Sequence, residues 1–253
     1  MIRLRSRREI DIIRRGGRIV AEAIQLVENL KLVGMTTAEL DAQVEEFILK
    51  KGGKPAFKGY RGFPNCCCIS LNEQLVHGIP SGRVILDGDI VSVDVGVELD
   101  NYFSDAATTV PAGSVGKEAK KLLRVTRESL RKVIDILKPG VKLSEIGRTI
   151  QGYVESNGFS VVRQFVGHGI GRKLWEEPQV PNFWDDGEST PADRRLAGGT
   201  VVAIEPMVNV GGYRVKTLSD KWTVVTCDGK LCAHVEHTLA ITDSGADVLT
   251  VLE

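Results

Sequence analysis

The chain has 253 residues, 42% of them hydrophobic and 26% charged, a balance that excludes a disordered or fibrous protein and predicts a packed core. Its 33 basic and 33 acidic side chains cancel, so the molecule as a whole is no electrostatic binder of nucleic acid or anionic membrane. The longest apolar runs, 90–97 and 200–204, stop far short of the roughly 20 residues needed to cross a bilayer.

Residues 1–9 are rich in arginine, but no apolar stretch or small-residue cleavage site follows. No secretory signal is expected, and the cytoplasm is the expected location. Five cysteines, three of them consecutive at 66–68, suit no disulfide framework and read as reduced thiols. Ser6 and Glu9 form a capping box ahead of a helix over 7–30, in which Ile12, Ile13, Ile19, Val20, Ala23, Ile24, Val27 and Leu30 recur at helical spacing. Thr36 and Glu39 repeat the box, and Leu40, Val44, Phe47 and Ile48 supply the stripe of a second helix that Gly52-Gly53 stops. From 55 to 109 the pattern changes to short β-rich runs, among them 66–72 and 89–97. Helices return over 116–137 and 143–156, and strand-like runs fill most of the remainder.

Helix, helix, strands thus occurs twice. Val27, Leu30, Gly34, Leu40, Val44, Phe47 and Gly52 each have a like residue 106 positions later, and 87–94 reads like 198–205, each run ending in a carboxylate. The expectation is one domain over 1–253, made of two similar halves at about 7–110 and 116–250.

In the run 90–97 the valines at 91, 93, 95 and 97 alternate with Ser92, Asp94 and Gly96, so Asp94 points away from the helix-seeking face. Asp105, Glu205 and Glu236 also stand in apolar strand-like runs, and His168 is flanked by glycines in Gly167-His168-Gly169-Ile170-Gly171. A buried acid is costly unless it is paired or bound to a metal. Four such acids beside one histidine favour metal ligation over four isolated turn carboxylates.

These residues carry a resemblance. The stretch Cys68-Ile69-Ser70-Leu71-Asn72-Glu73-Gln74-Leu75-Val76-His77-Gly78-Ile79-Pro80, the pair Asp94 and Asp105, the glycine-flanked His168, Glu176-Glu177-Pro178-Gln179-Val180, Ile204-Glu205-Pro206-Met207 and Val235-Glu236-His237-Thr238 together resemble type I methionine aminopeptidase over nearly the whole chain. The resemblance implies an α+β pita-bread fold, two pseudo-symmetric α/β halves around a central curved antiparallel sheet. It implies a centre of two divalent metal ions held by Asp94, Asp105, His168, Glu205 and Glu236, with Co, Mn, Fe or Zn all compatible with so hard a donor set. It further implies that Glu205 accepts a proton from the attacking water, that His77 hydrogen-bonds substrate beside the scissile bond, and that the substrate is an N-terminal methionyl peptide with a small second residue. Tyr60, Phe63, Cys68 and Trp222 fall where the family lines its methionine side-chain pocket, and Leu174 stands where an aromatic is usual.

One position departs from the family pattern. Trp175 replaces a histidine that normally precedes Glu-Glu-Pro, and an indole can donate a hydrogen bond but neither accepts nor exchanges a proton. Weak turnover, altered specificity or a peptide-binding role without catalysis are the alternative readings this leaves open. His234, two residues before Glu236 and so expected on the same strand face, is a lesser candidate to compensate.

The three consecutive cysteines are not read as a zinc cluster, because strand neighbours face opposite ways. Cys68 is assigned to the pocket, and Cys66 and Cys67 to packing. Residues 116–148 carry ten basic and four acidic side chains, and Lys117, Lys120, Lys121, Arg124, Arg127 and Arg131 share one helix face. That row, within 117–132, reads either as a solvated face or as a ribosome-docking surface. A monomer is expected. The loop 182–195, with Trp184 and an acidic tip, reads as a lid or as an insertion.

Overall fold

A computed structural model describes residues 2–185 and 192–252. Helices α1 (Arg7–Asn29) and α2 (Thr37–Lys50) begin where the capping boxes place them. The Ser6 hydroxyl accepts the Glu9 N–H while Glu9 Oε2 accepts the Ser6 N–H at 2.9 Å. Thr36 and Glu39 repeat the exchange, with Glu39 Oε2 accepting the Thr36 N–H at 2.8 Å. Each box satisfies backbone donors that a helix start would otherwise leave unpaired.

Both helices lie on an antiparallel sheet built around the strand Ile90–Leu99. Tyr102–Pro111 runs along one of its edges, and Cys67–Leu71 followed by Lys54–Pro55 along the other. The valine alternation holds. Val91, Val93, Val95 and Val97 are fully buried in one cluster with Val20, Val27, Leu40, Val44 and Ile48 of the helices, each contributing about 1.5 to 3 kcal/mol through burial. Gly96, on the opposite face, has no room for a side chain, since a Cβ there would stand 2.7 Å from the ring of Phe57.

The arrangement then recurs. Helices α3 (Lys117–Ile136) and α4 (Leu143–Ser156) cover a five-stranded antiparallel sheet ordered Gly245–Val248, His237–Thr242, Val201–Ile204, Gly167–Gly169, Glu176–Val180. α4 starts and ends 106 residues after α2, the offset found in the sequence. Leu122, Leu130, Val133, Ile146, Ile150, Val202, Ile204 and Leu239 form the second core. Two small three-stranded sheets flank the large ones.

The two sheets meet edge to edge through Tyr102–Pro111. Ala107 and Glu236 exchange backbone hydrogen bonds at 3.3 and 2.9 Å, and the Phe103 N–H donates to Gly171 O at 2.7 Å. Asp105 and Glu236 are thereby brought to the seam between the halves.

One sequence expectation changes, and another falls partly outside the described residues. The strand begins at Cys67, and a bend at 65–66 precedes it, so Cys66 and Cys67 both turn toward the buried Asp41 instead of alternating. Cys68 alone of the three lines the central cavity. Part of the loop 182–195, residues 186–191, lies outside the described residues. Its flanks are tied to α4, the Trp184 N–H donating to Gln151 Oε1 at 3.1 Å and Asp193 accepting the Ser144 N–H at 3.0 Å.

Candidate metal centre and substrate cavity

A cavity of about 560 Å³ opens at the seam. Its floor is acidic. Asp94 and Asp105 stand on adjacent antiparallel strands, Asp94 opposite Ala107 and Asp105 opposite Gly96. That diagonal puts both carboxyls on the face turned away from the valines. Glu205 follows the strand Val201–Ile204, and Glu236 sits between Cys232–His234 and His237–Thr242. His168 is central in the three-residue strand Gly167–Gly169.

The flanking glycines are required by close backbone approach. A Cβ at Gly167 would stand 2.3 Å from Ala203 O, and one at Gly169 2.2 Å from Glu177 O. His168 Nδ1 lies 3.0 Å from Gly169 O. A carbonyl only accepts, so Nδ1 carries a proton and Nε2 is the ring nitrogen turned to the acids. Nε2 is 3.6 Å from Asp105 Oδ2 and 3.6 Å from Glu205 Oε1. Asp105, His168 and Glu236 each offer a ligand atom, and these atoms lie within 4.8 Å of one another. All five residues assigned to the metal thus converge on one wall, and no lysine or arginine lines the cavity among the described residues.

Electrostatics supply the test of fit. Burial first, then the charge of neighbouring acids, pushes the Asp94, Glu205 and Glu236 carboxyls well above the usual carboxylate range. Asp105 rises through burial but is held back by His168 and by the Thr238 hydroxyl. Asp94 Oδ1 and Glu236 Oε1 are buried with no hydrogen-bond partner in the protein. Oxygens so placed are costly unless a cation faces them, and an oxygen-rich set with one imidazole suits a divalent first-row metal. The residues fit the metal.

The apolar wall completes the cavity. Tyr60, Phe63, Cys68, Leu174, Trp175 and Trp222 all line it, as the sequence indicated, together with Phe57, Phe165 and Met207, which it did not single out. Phe63 and Trp222 meet edge-on with centroids 5.2 Å apart, as do Tyr60 and Trp175 at 5.3 Å. His77 stands at positive φ, 57°, with its ring edge-on to Phe165 and Trp222. Burial lowers its pKa to about 4, so it is neutral at pH 7.

Two further residues stand at the site: His234, which the sequence offered as a lesser candidate, and Thr238. His234 is 2% exposed, lines the cavity, and has Nε2 3.7 Å from Glu205 Oε2 and 3.9 Å from Glu236 Oε2, beyond hydrogen-bond range. Thr238 accepts the Asp105 N–H at 3.1 Å and places its hydroxyl 2.7 Å from Asp105 O and 3.1 Å from Oδ1. The only sequence signal for Thr238 was its position two residues beyond Glu236.

The family is a matter of comparison as well as geometry. A model of metallopeptidase family M24 matches residues 11–243, and the chain belongs to that family. Within it the chain is similar to methionine aminopeptidases. It is 51% identical to the Methionine aminopeptidase of Clostridium perfringens, over 100% of both chains, and 51% identical to Methionine aminopeptidase 1 of Bacillus subtilis, over 99% of both. The solved methionine aminopeptidase of Thermotoga maritima matches it with a TM-score of 0.94 at 44% identity, covering 100% of both chains. The architecture is the pita-bread α+β fold shared with those structures.

Proposed function

We propose that the chain is a metal-dependent aminopeptidase that removes the initiator methionine from new polypeptides whose second residue is small. One observation carries this reading: a carboxylate and imidazole cluster free of basic side chains forms one wall of a cavity whose other wall is aromatic and aliphatic. Such a wall packs against an unbranched thioether and offers it sulfur-aromatic contacts.

Asp94, Asp105, His168, Glu205 and Glu236 hold two divalent ions, drawn from Co, Mn, Fe or Zn. When bound, the ions supply an acidified water and charge stabilisation for the developing oxyanion. The protein's own groups do the rest. Glu205 accepts the proton of the attacking water. Neutral His77 donates a hydrogen bond to substrate beside the scissile bond, and Tyr60, Phe63, Cys68, Leu174, Trp175 and Trp222 seat the methionine side chain. His168 is kept in the ligating tautomer by its Nδ1–H to Gly169 O. Residues 1–253 act as a single catalytic domain, since the acids come from both halves and neither half carries the set alone.

The chain works as a cytoplasmic monomer, with all five cysteines free, and no described helix is long and apolar enough to cross a membrane. Docking on the ribosome through α3 accompanies this reading. Lys117, Lys120, Lys121, Arg124, Arg127 and Arg131 are all exposed on that helix, although Arg127 also donates to Thr109 O and Lys121 to Asn157 O. Co-sedimentation with ribosomes that persists after neutralising the row would rule out docking through α3.

Initial rates on Met-Ala-Ser and Met-Gly peptides with Fe(II), Mn(II) and Co(II) test the activity. Release of methionine that chelation abolishes is expected. Bound metal without hydrolysis of any N-terminal residue would make the chain a peptide-binding protein instead.

A further inference from the structure

Away from the cavity, Asp41, Cys66 and Cys67 form a second set of ligand-type groups. Asp41 lies on α2, Cys66 in the bend before the strand Cys67–Leu71, and Cys67 at its first position. One ligand atom from each lies within 4.8 Å of the other two. The three residues are buried, Asp41 at 5% exposure and both cysteines at 0%. Asp41 Oδ1 accepts the Cys67 backbone N–H at 2.9 Å and its thiol at 3.1 Å, and Oδ2 accepts from Asn65 Nδ2 at 2.8 Å. All these donors are neutral. A buried carboxylate is therefore faced by two thiols, and thiols are weak donors.

We propose that Asp41, Cys66 and Cys67 bind a thiophilic divalent cation of the zinc and cadmium class, forming a structural site separate from the catalytic centre. Two thiolates and one carboxylate match the sulfur-containing donor sets that select such ions, in contrast to the oxygen-rich centre in the cavity. On binding, each S–H bond breaks, two metal–sulfur bonds form, and two protons leave to solvent. The dication replaces those two protons, so the site keeps the single negative charge of the Asp41 carboxylate. Affinity consequently rises with pH. The ion joins α2 to the start of the central sheet in the first half, while Cys68, the next strand residue, faces the cavity on the other side.

The test uses the full chain with its catalytic centre saturated with Mn(II), so that its outcome is independent of peptidase activity. Cadmium(II) is added stepwise, both to the native protein and during refolding, and the ultraviolet thiolate-to-cadmium charge-transfer band is followed. One cadmium per chain is expected to produce the band. Cys66→Ser and Cys67→Ser should each abolish it, whereas Cys227→Ser, at the exposed thiol, should retain it. Zinc should raise the thermal midpoint of the parent chain but not that of Cys66→Ser. Failure to form the band in both preparations overturns the site. So does a band that survives in the Cys66→Ser, Cys67→Ser double variant, and either result leaves the thiols as a hydrogen-bonded packing plug.

Discussion

The indole of Trp175 stands edge-on to the imidazole of His168, ring centroids 6.1 Å apart and planes at 64°. Its other neighbours are the Tyr60 ring at 5.3 Å and the Arg61 guanidinium 5.0 Å from its centroid. The indole therefore occupies the cavity wall between the acidic cluster and the aromatic lining, where the family pattern has a histidine. It packs well there but supplies one N–H and no acceptor.

Trp175→His should consequently raise kcat on a Met-Ala-Ser peptide by on the order of 10²-fold, the lower end of what a positioned group able to accept and return a proton contributes. Steady-state rates at saturating metal check it. An unchanged or lower kcat would mean that Trp175 is compatible with full turnover.

Thr238 is a positioning residue for Asp105, gripping both its backbone and its carboxyl. Thr238→Val keeps the shape and removes the hydroxyl. Metal affinity, read by competition with a chelating dye, should weaken about 10- to 100-fold, the usual consequence of losing a group that orients a ligand. Thr238→Ser should restore it, which a purely steric role for the methyl group would not.

Local rules made much of this fold legible. The boxes at Ser6 and Thr36 and the alternation of Val91 to Val97 depend on neighbours within a few residues, and all are found as read. The acids and His168 were legible as unusual, because each interrupts an apolar run. Contacts closed by the tertiary fold were not. The pairing of Arg5 with Glu176 spans 171 residues, and Thr238 reaches Asp105 across 133. The shared orientation of Cys66 and Cys67 depends on a bend at the mouth of the strand, where period-two alternation has not yet begun.

The Arg5 pairing has a measurable consequence. Its guanidinium is 4% exposed, bonds Glu176, and lies where a Cβ on Gly171 would meet it at 2.3 Å. The Arg5 N–H also donates to Gly199 O at 2.7 Å. The N-terminal segment thus clamps the loop that carries Leu174 and Trp175. Arg5→Ala takes the cation from the half-buried Glu176 carboxylate, which keeps only the Lys173 N–H at 3.0 Å, and should cost about 2 kcal/mol in urea unfolding. The same variant should raise KM more than it lowers kcat, because the wall proposed to seat the methionine loosens while the residues proposed to hold the metal stay in place.

Acid sensitivity should also be traceable to the start of α1. Glu9 accepts the Ser6 backbone N–H, and then the hydroxyls of Ser6 and Tyr102, with Arg5 nearby, and these hold its pKa down from 4.5 to about 2 despite partial burial. A carboxyl whose folded pKa is depressed binds protons more readily in the unfolded chain, so its contribution is complete above pH 4.5 and is lost as pH falls toward 2. Urea unfolding of the parent chain and Glu9→Gln at pH 6 and pH 3 should show the difference between them shrinking at the lower value. Because Glu9 is partly solvated, the effect is smaller than the pKa depression alone implies. A difference that stays constant between the two pH values would assign the acid sensitivity to carboxylates elsewhere and leave the box a purely geometric cap.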